Sequence, residues 1–207
     1  DLRGLDLSRL SFRGLDLSGM HLQGARLDRS DLRDVSLDNA NLSGASLLGA
    51  SLQGAHLTAT DLSEADLSGA VLDGATLERT VLRRTTLRAA RVRDSIWTEV
   101  EAHAGDWQEI DLTGARFERV DLADLDARGA RLEGCRIKDS DLARLHLQGC
   151  GAQGLEILDS TVEDTEFDSS DLVGAQVRFA NWDRVSLAQA TLTDSSWESG
   201  AFRDCPV

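Results

Sequence analysis

Ala40-Asn41-Leu42-Ser43-Gly44 runs without a break into Ala45-Ser46-Leu47-Leu48-Gly49, Ala50-Ser51-Leu52-Gln53-Gly54 and Ala55-His56-Leu57-Thr58-Ala59. Each block has a small residue first, a leucine in the middle and most often a glycine last. The frame extends both ways with no insertion or deletion. From Leu2, Leu7 and Phe12 to Phe202 and Val207, every fifth residue gives 42 positions, of which 25 are Leu, four Phe, four Trp, four Val, two Ile and three Ala (Ala102, Ala127 and Ala152). A bulky apolar side chain recurring every five residues fits neither a helix nor an ordinary strand, whose periods are about 3.6 and 2.

Two residues before each bulky one stands a small one, as in Ala25, Ala40, Ala45, Ala50, Ala55, Ala65, Ala70 and Ala75, with Ser, Thr, Cys, Val or Leu elsewhere. Two of every five residues are therefore expected to face inward. Of the 18 glycines, 15 fall two residues after the bulky one, where a type II turn needs a positive φ. Each pentapeptide then reads as a short extended piece and a tight corner, and a chain that turns a corner every five residues stacks on itself as repeat folds do.

Ala-Asn-Leu-Ser-Gly at 40–44, Thr-Asp-Leu-Ser-Glu at 60–64 and Ala-Asp-Leu-Ser-Gly at 65–69 resemble the A(D/N)LXX unit of the pentapeptide repeat family. The resemblance covers the whole chain. It implies an all-β fold, a right-handed quadrilateral β-helix with four pentapeptides per coil, the central residue and the small one two before it pointing into the core. The handedness and the four sides come from the resemblance, not from the spacing.

With twenty residues per coil, residues 1–207 are expected to form a single domain of about ten coils, a rod on the order of 50 Å long at ~4.8 Å per coil. The bulky positions supply a core that needs no disulfide or cofactor. Residues twenty apart should stack, which places Trp107 beside Ala127 and brings Ala102 between Trp97 and Trp107, so that small residues make room for large ones. All four tryptophans are expected in the core. Cys135, Cys150 and Cys205 occupy the small inward position and read as substitutes for Ala, neither disulfides nor metal ligands. Free thiols and the lack of a signal-like or membrane-spanning run suit a cytoplasmic protein, or one secreted within an effector system. Both termini are in frame, so the expectation is a region of a longer protein, or a rod capped by a partner or by end-to-end stacking.

No catalytic residue, cofactor or metal site is expected. His21, His56, His103 and His146 fall at outward positions without metal-ligand spacing, and the glycines lack the strand-to-helix context of a phosphate loop. The many Asp-Leu pairs read as repeat grammar, an outward carboxylate bonding to the backbone at a corner.

Charge is more telling. The net charge is −14; residues 1–93 carry twelve acidic and twelve basic side chains, whereas residues 94–171 carry twenty and seven. In the twenty-residue frame Glu101, Asp121 and Asp141 form one column and Asp106 and Asp126 another, with Glu163, Asp164 and Glu166 extending the acidic area. Such a field disfavours direct nucleic-acid binding and attracts a basic protein groove. A basic collar, Arg79, Arg83, Arg84, Arg88, Arg91 and Arg93, is expected to pair with neighbours, Arg91 stacking by Asp111 among them, the alternative being a site for an anion or an acidic partner. Leu158 and Phe179 point outward one coil apart, a candidate apolar contact.

These features predict a non-enzymatic, rigid protein-interaction scaffold, of the kind found in bacterial effectors or secretion-associated proteins. The resemblance also implies an alternative, because some members of the family mimic DNA and bind gyrase and related type II topoisomerases.

Overall fold

A computed structural model describes residues 1–198 and 202–205; the core assignments made for the side chain of Phe202 and for Val207 lie outside the described residues. The chain contains no helix among them and pairs with itself in parallel at a constant offset of twenty residues, from Asp6 against Arg26 to Asp171 against Thr191. Among the described residues nine of these pairings widen into ladders that join eleven strands: β1 (Thr76–Glu78), β2 (Ile96–Thr98), β3 (Arg116–Glu118), β4 (Arg136–Lys138), β5 (Asp141–Ala143), β6 (Glu156–Leu158), β7 (Thr161–Glu163), β8 (Gln176–Arg178), β9 (Asn181–Asp183), β10 (Ser196–Glu198) and β11 (Phe202–Arg203). A seven-stranded ribbon in the order β1-β2-β3-β4-β6-β8-β10 steps through six turns, and β11-β9-β7-β5 forms a second ribbon. The isolated bridges carry the same pitch back to the first residues, so the chain completes about ten coils.

Each coil has four faces, named here by their central residues: face 1 holds Leu22, Leu42 and Leu62, face 2 Leu27, Leu47 and Leu67, face 3 Leu32, Leu52 and Leu72, face 4 Leu37, Leu57 and Leu77. The repeat grammar follows from where the five backbone N–H groups go. In Asn41–Ala45, Asn41 donates back to Met20 O (2.9 Å), Leu42 forward to Asp61 O (2.7 Å) and Gly44 forward to Ser63 O (2.8 Å), while Ala45 closes the corner onto Leu42 O (2.9 Å). The remaining donor, Ser43 N–H, has no carbonyl partner; it bonds Asn41 Oδ1 at 3.0 Å. Asp61 and Asp66 do the same for Ser63 and Ser68. An Asp or Asn before the central Leu is thus a backbone ligand, as its frequency suggests.

The core fills as expected from Leu22 to Leu187, where the central and small positions are almost wholly buried. In the last coil Ala190, Leu192, Trp197 and Cys205 are only partly buried, so Trp197 and Cys205 lie at the edge of the core and not inside it. Where the small slot is threonine, the hydroxyl donates to a carbonyl of the coil before, as Thr60 does to Leu37 O (2.8 Å) and Thr80 to Leu57 O (2.6 Å), whereas the serines Ser30 and Ser95 donate within their own coil, to Leu27 O and Val92 O at 2.7 Å each. Residues 1–20 differ: their slots hold Leu5, Leu10, Leu15 and Met20, and the three leucines are 47–50% exposed, having no coil stacked over them among the described residues. Corner residues adopt left-handed φ whether or not they are glycine, from Gly114 at 72° to Asp204 at 48°, so glycine eases the corner without being required.

The aromatic residues meet as their volumes demand. Trp97 and Trp107 approach to 5.5 Å between ring centroids across Ala102, and Trp97 and Phe117 to 5.3 Å. Ala127, between Trp107 and Leu147 in its column, leaves an apolar void of about 30 Å³, room for about one water but with no polar wall to hold it. Cys135, Cys150 and Cys205 are all free thiols. Burial pushes the Cys135 thiol up to about 12 and the Cys150 thiol up to about 11, so neither is a ready nucleophile at neutral pH.

Candidate protein-interaction surface

All eight acidic residues singled out from the sequence lie on two adjoining faces or the corner between them. Glu101, Asp121 and Asp141 stack in register on face 1, and Asp106 and Asp126 on face 2, with His146 and Glu166 continuing that column. Glu163 closes β7 on face 1, and Asp164 sits at the corner with φ 50°. Between residues 101 and 171, faces 1 and 2 and their shared corner carry ten carboxylates against Arg128 and Arg144, whereas the rest of the circumference carries eight against five cations. The acidic field is therefore one-sided around the rod as well as along it.

Like charges directly opposed in a ladder repel, and the surface relieves this with bonds that the columns alone did not reveal. Glu101 pairs with Arg83. His103 Nδ1 lies 3.4 Å from Asp121, Arg88 3.7 Å from Asp106 and Arg128 2.6 Å from Asp126. Arg184 reaches across the corner to Glu163 and Asp164, each at 2.5 Å, and His146 Nδ1 bonds Glu166 at 2.8 Å. Hydrogen bonds from Arg128 hold the Asp126 carboxyl below its ordinary range, and those from Arg184 do so for Asp164. Asp121, Asp126 and Asp141 also accept backbone N–H groups two residues on, at 3.1, 3.4 and 3.1 Å. These carboxylates are fixed rungs ~4.8 Å apart along the rod, unable to swing like side chains on a loose loop. Among the described residues no cluster of His, Cys, Asp and Glu is arranged to hold a metal ion.

The collar arginines are engaged as neighbours: Arg84 with Glu64, Arg83 with Glu101 and Arg91 with Asp73 at 2.7 Å. One pairing differs from the expectation. Arg91 stands beside Asp111 in the ladder, yet Asp111 is taken by Arg93 at 2.6 Å, because a long guanidinium stem reaches past its rung. Of the apolar pair, Phe179 is 62% exposed, while Leu158 is half-buried at the end of β6. Ile96, 46% exposed, joins them on face 4; its signal was a β-branched apolar residue in the slot that usually holds Asp, Asn, Ser or Thr.

The sequence profile described as Pentapeptide repeats matches eight copies within residues 21–58, 50–88, 60–96 and 108–139, together just over half of the chain. The chain belongs to the pentapeptide repeat family. Among solved structures, this pentapeptide repeat protein is similar to HetL of the cyanobacterium Nostoc sp., a pentapeptide repeat protein involved in heterocyst differentiation regulation, with 24% identity over 97% of this chain and 88% of that one and a TM-score of 0.89. That likeness carries the fold, a right-handed quadrilateral β-helix. A pentapeptide repeat protein of the Arabidopsis thaliana thylakoid lumen is 37% identical over 47% of this chain and 68% of its own, with a TM-score of 0.47. QnrB1, a plasmid-mediated fluoroquinolone resistance protein, shares 13% identity over 90% of this chain and 92% of its own, with a TM-score of 0.41. No curated protein sequence matches significantly.

Proposed function

We propose that this chain is a non-catalytic, rigid interaction rod that offers faces 1 and 2 to a basic surface on a protein partner. The observation that carries the reading is the one-sided field: ten carboxylates against two arginines on two adjoining faces of residues 101–171. Salt bridges and backbone bonds hold those groups in place, so association costs little side-chain ordering, and a fixed field steers encounter. The three free cysteines support a cytoplasmic setting, which subcellular fractionation would test.

The test neutralises the columns without removing their backbone bonds, through the combined change Glu101→Gln, Asp106→Asn, Asp121→Asn and Asp126→Asn. Wild-type protein immobilised in a bacterial lysate should retain a partner that elutes with salt and that the fourfold variant fails to retain. Identical retention by both proteins would refute the reading.

A finer reading, mimicry of DNA toward a type II topoisomerase, is favoured by the regular spacing of the two acidic columns. It requires that wild-type protein inhibit gyrase supercoiling, that duplex DNA compete, and that the fourfold variant lose the inhibition. Supercoiling unaffected by wild-type protein would remove mimicry and leave the scaffold reading standing.

A further inference from the structure

We propose that face 4 carries a second docking stripe, suited to an extended protein segment whose carboxylates are flanked by apolar side chains. The inference stands apart from the acidic surface of faces 1 and 2. Face 4 is the seven-stranded ribbon, the longest continuous sheet of the rod. Beyond residues 1–20, the large apolar side chains that are exposed among the described residues are Leu48, Ile96 and Phe179, and two of these three sit on this face or its corner.

Between the two apolar ends lie the cations. Arg116 and Arg136 are direct partners in the parallel register, and Lys138 shares a strand with Arg136. Stacking like charges on adjacent rungs is unfavourable unless something answers them. Glu156 answers Arg136 at 3.4 Å, and Asp139 answers Lys138 at 3.3 Å. From residue 30 to residue 198, Arg116 is the one Lys or Arg among the described residues with no carboxylate within 4.0 Å, in a chain with 36 acidic side chains. Ile96, Thr98, Arg116, Glu118, Arg136 and Lys138 wall a shallow groove there, in which Glu118 is already paired with Arg119.

Ile96 and Phe179 are separated by four rungs, about 19 Å along the rod, a distance that about six residues of extended chain would span. An acidic segment laid along that line would set its carboxylates over Arg116, Arg136 and Lys138, with one apolar anchor on Ile96 and the other on Leu158 and Phe179. Exposed ion pairs alone bind weakly, so the anchors supply most of the affinity and the cations its direction. The surrounding segment, with twenty acidic and seven basic residues, repels a long polyanion, so the partner is a protein and not a nucleic acid.

The probe is the peptide acetyl-Leu-Glu-Asp-Glu-Asp-Phe-amide, titrated into the ¹⁵N-labelled full chain while backbone amide shifts are followed. Saturable shifts confined to the neighbourhood of Ile96, Arg116, Arg136, Lys138 and Phe179 are expected, weakened about tenfold by Arg116→Gln with Arg136→Gln and similarly by Ile96→Ser with Phe179→Ser. All four positions are outward, and unchanged melting curves would show that both variants fold. The variant neutralised on faces 1 and 2 should bind the peptide as wild type does, which separates this stripe from that surface. The proposal is overturned by the absence of saturable shifts, by equal shifts from a peptide with Ser at both ends, by insensitivity to the arginine changes, or by a single-stranded oligonucleotide producing the same shifts.

Discussion

The indole N–H of Trp97 donates to Ser95 Oγ, two residues before it, at 2.7 Å, and Ser95 in turn donates to Val92 O at 2.7 Å. Trp197 and Ser195 repeat the first bond at 2.7 Å. The small inward slot therefore does more than leave room; beside a tryptophan it supplies an acceptor for a polar atom that the frame drives into the core. Ser95→Ala should cost about 1–3 kcal/mol, since it strands one buried donor and one buried acceptor. Denaturant melts measure this, and wild-type stability in the variant would refute the role given to the hydroxyl.

Trp107 has Gly105 in the equivalent slot, and its indole nitrogen has no hydrogen-bond partner among the described residues. A Cβ at residue 105 would lie 2.6 Å from Thr85 O and 2.8 Å from Trp107 Nε1, without any left-handed φ to complicate the comparison. Gly105→Ala should therefore destabilise by about 1–3 kcal/mol through overpacking. Gly134→Ala meets nothing but has φ 64° and should cost about 1 kcal/mol from backbone conformation. A larger loss at Gly134 would show that corner strain outweighs core volume.

Leu62 is buried and the adjacent Ser63 lies outward. Leu62→Asp should unfold the neighbouring coils, because an unpaired charge would enter a dry interior, whereas Ser63→Asp should stay within about 0.5 kcal/mol of wild type. Similar melting temperatures for the two variants would contradict the inward and outward assignment.

Reductant should leave the melting temperature of the purified protein unchanged, because all three thiols are free. A thiol reagent under native conditions should label Cys205, which is half-buried, well before Cys135 or Cys150, whose thiolates are suppressed by burial. Fast labelling of Cys135 would mean that the coil around it opens readily.

Acid should weaken the rod in a defined window. Hydrogen bonds from Arg33 hold the Asp31 carboxyl down at about 2, against an ordinary 3.8, and Asp126 and Asp164 are lowered by Arg128 and Arg184. Groups lowered on folding contribute stability that is fully present above the unfolded value and lost as pH falls through the folded one. Melting temperature should therefore decline from about pH 4 toward pH 2. Asp126→Asn, which keeps an oxygen for the Arg128 N–H, should flatten part of that decline; a profile as steep as wild type would remove Asp126 from the account.

The inward positions were legible because a period of five fits neither a helix nor an ordinary strand; once the family resemblance supplied four pentapeptides per coil, the stacking of Trp107 on Ala127 followed by counting. The acidic columns followed from the same arithmetic. What counting missed lies at the ends of long side chains. Nothing in the spacing tells Arg93 to take Asp111 while Arg91 turns to Asp73, or Arg184 to span Glu163, Asp164 and Asp183, since a guanidinium reaches sideways off its own column. A lone Ile96 in the outward slot says little by itself, and it gains meaning only when the ladder sets it beside Arg116 and Arg136.

The constant offset of twenty residues, unbroken from Asp6 to Thr191, makes this molecule a turntable. Duplicating one pentapeptide, for instance Ala65–Gly69, would leave every downstream side chain in an equivalent core slot, yet rotate everything after it by a quarter turn. The acidic columns would then lie under a different part of the upstream surface, with the melting curve barely altered. Orientation between the two halves of the rod can thus change in ninety-degree steps while the interior is conserved, and a partner that touches both halves would register the step as lost binding.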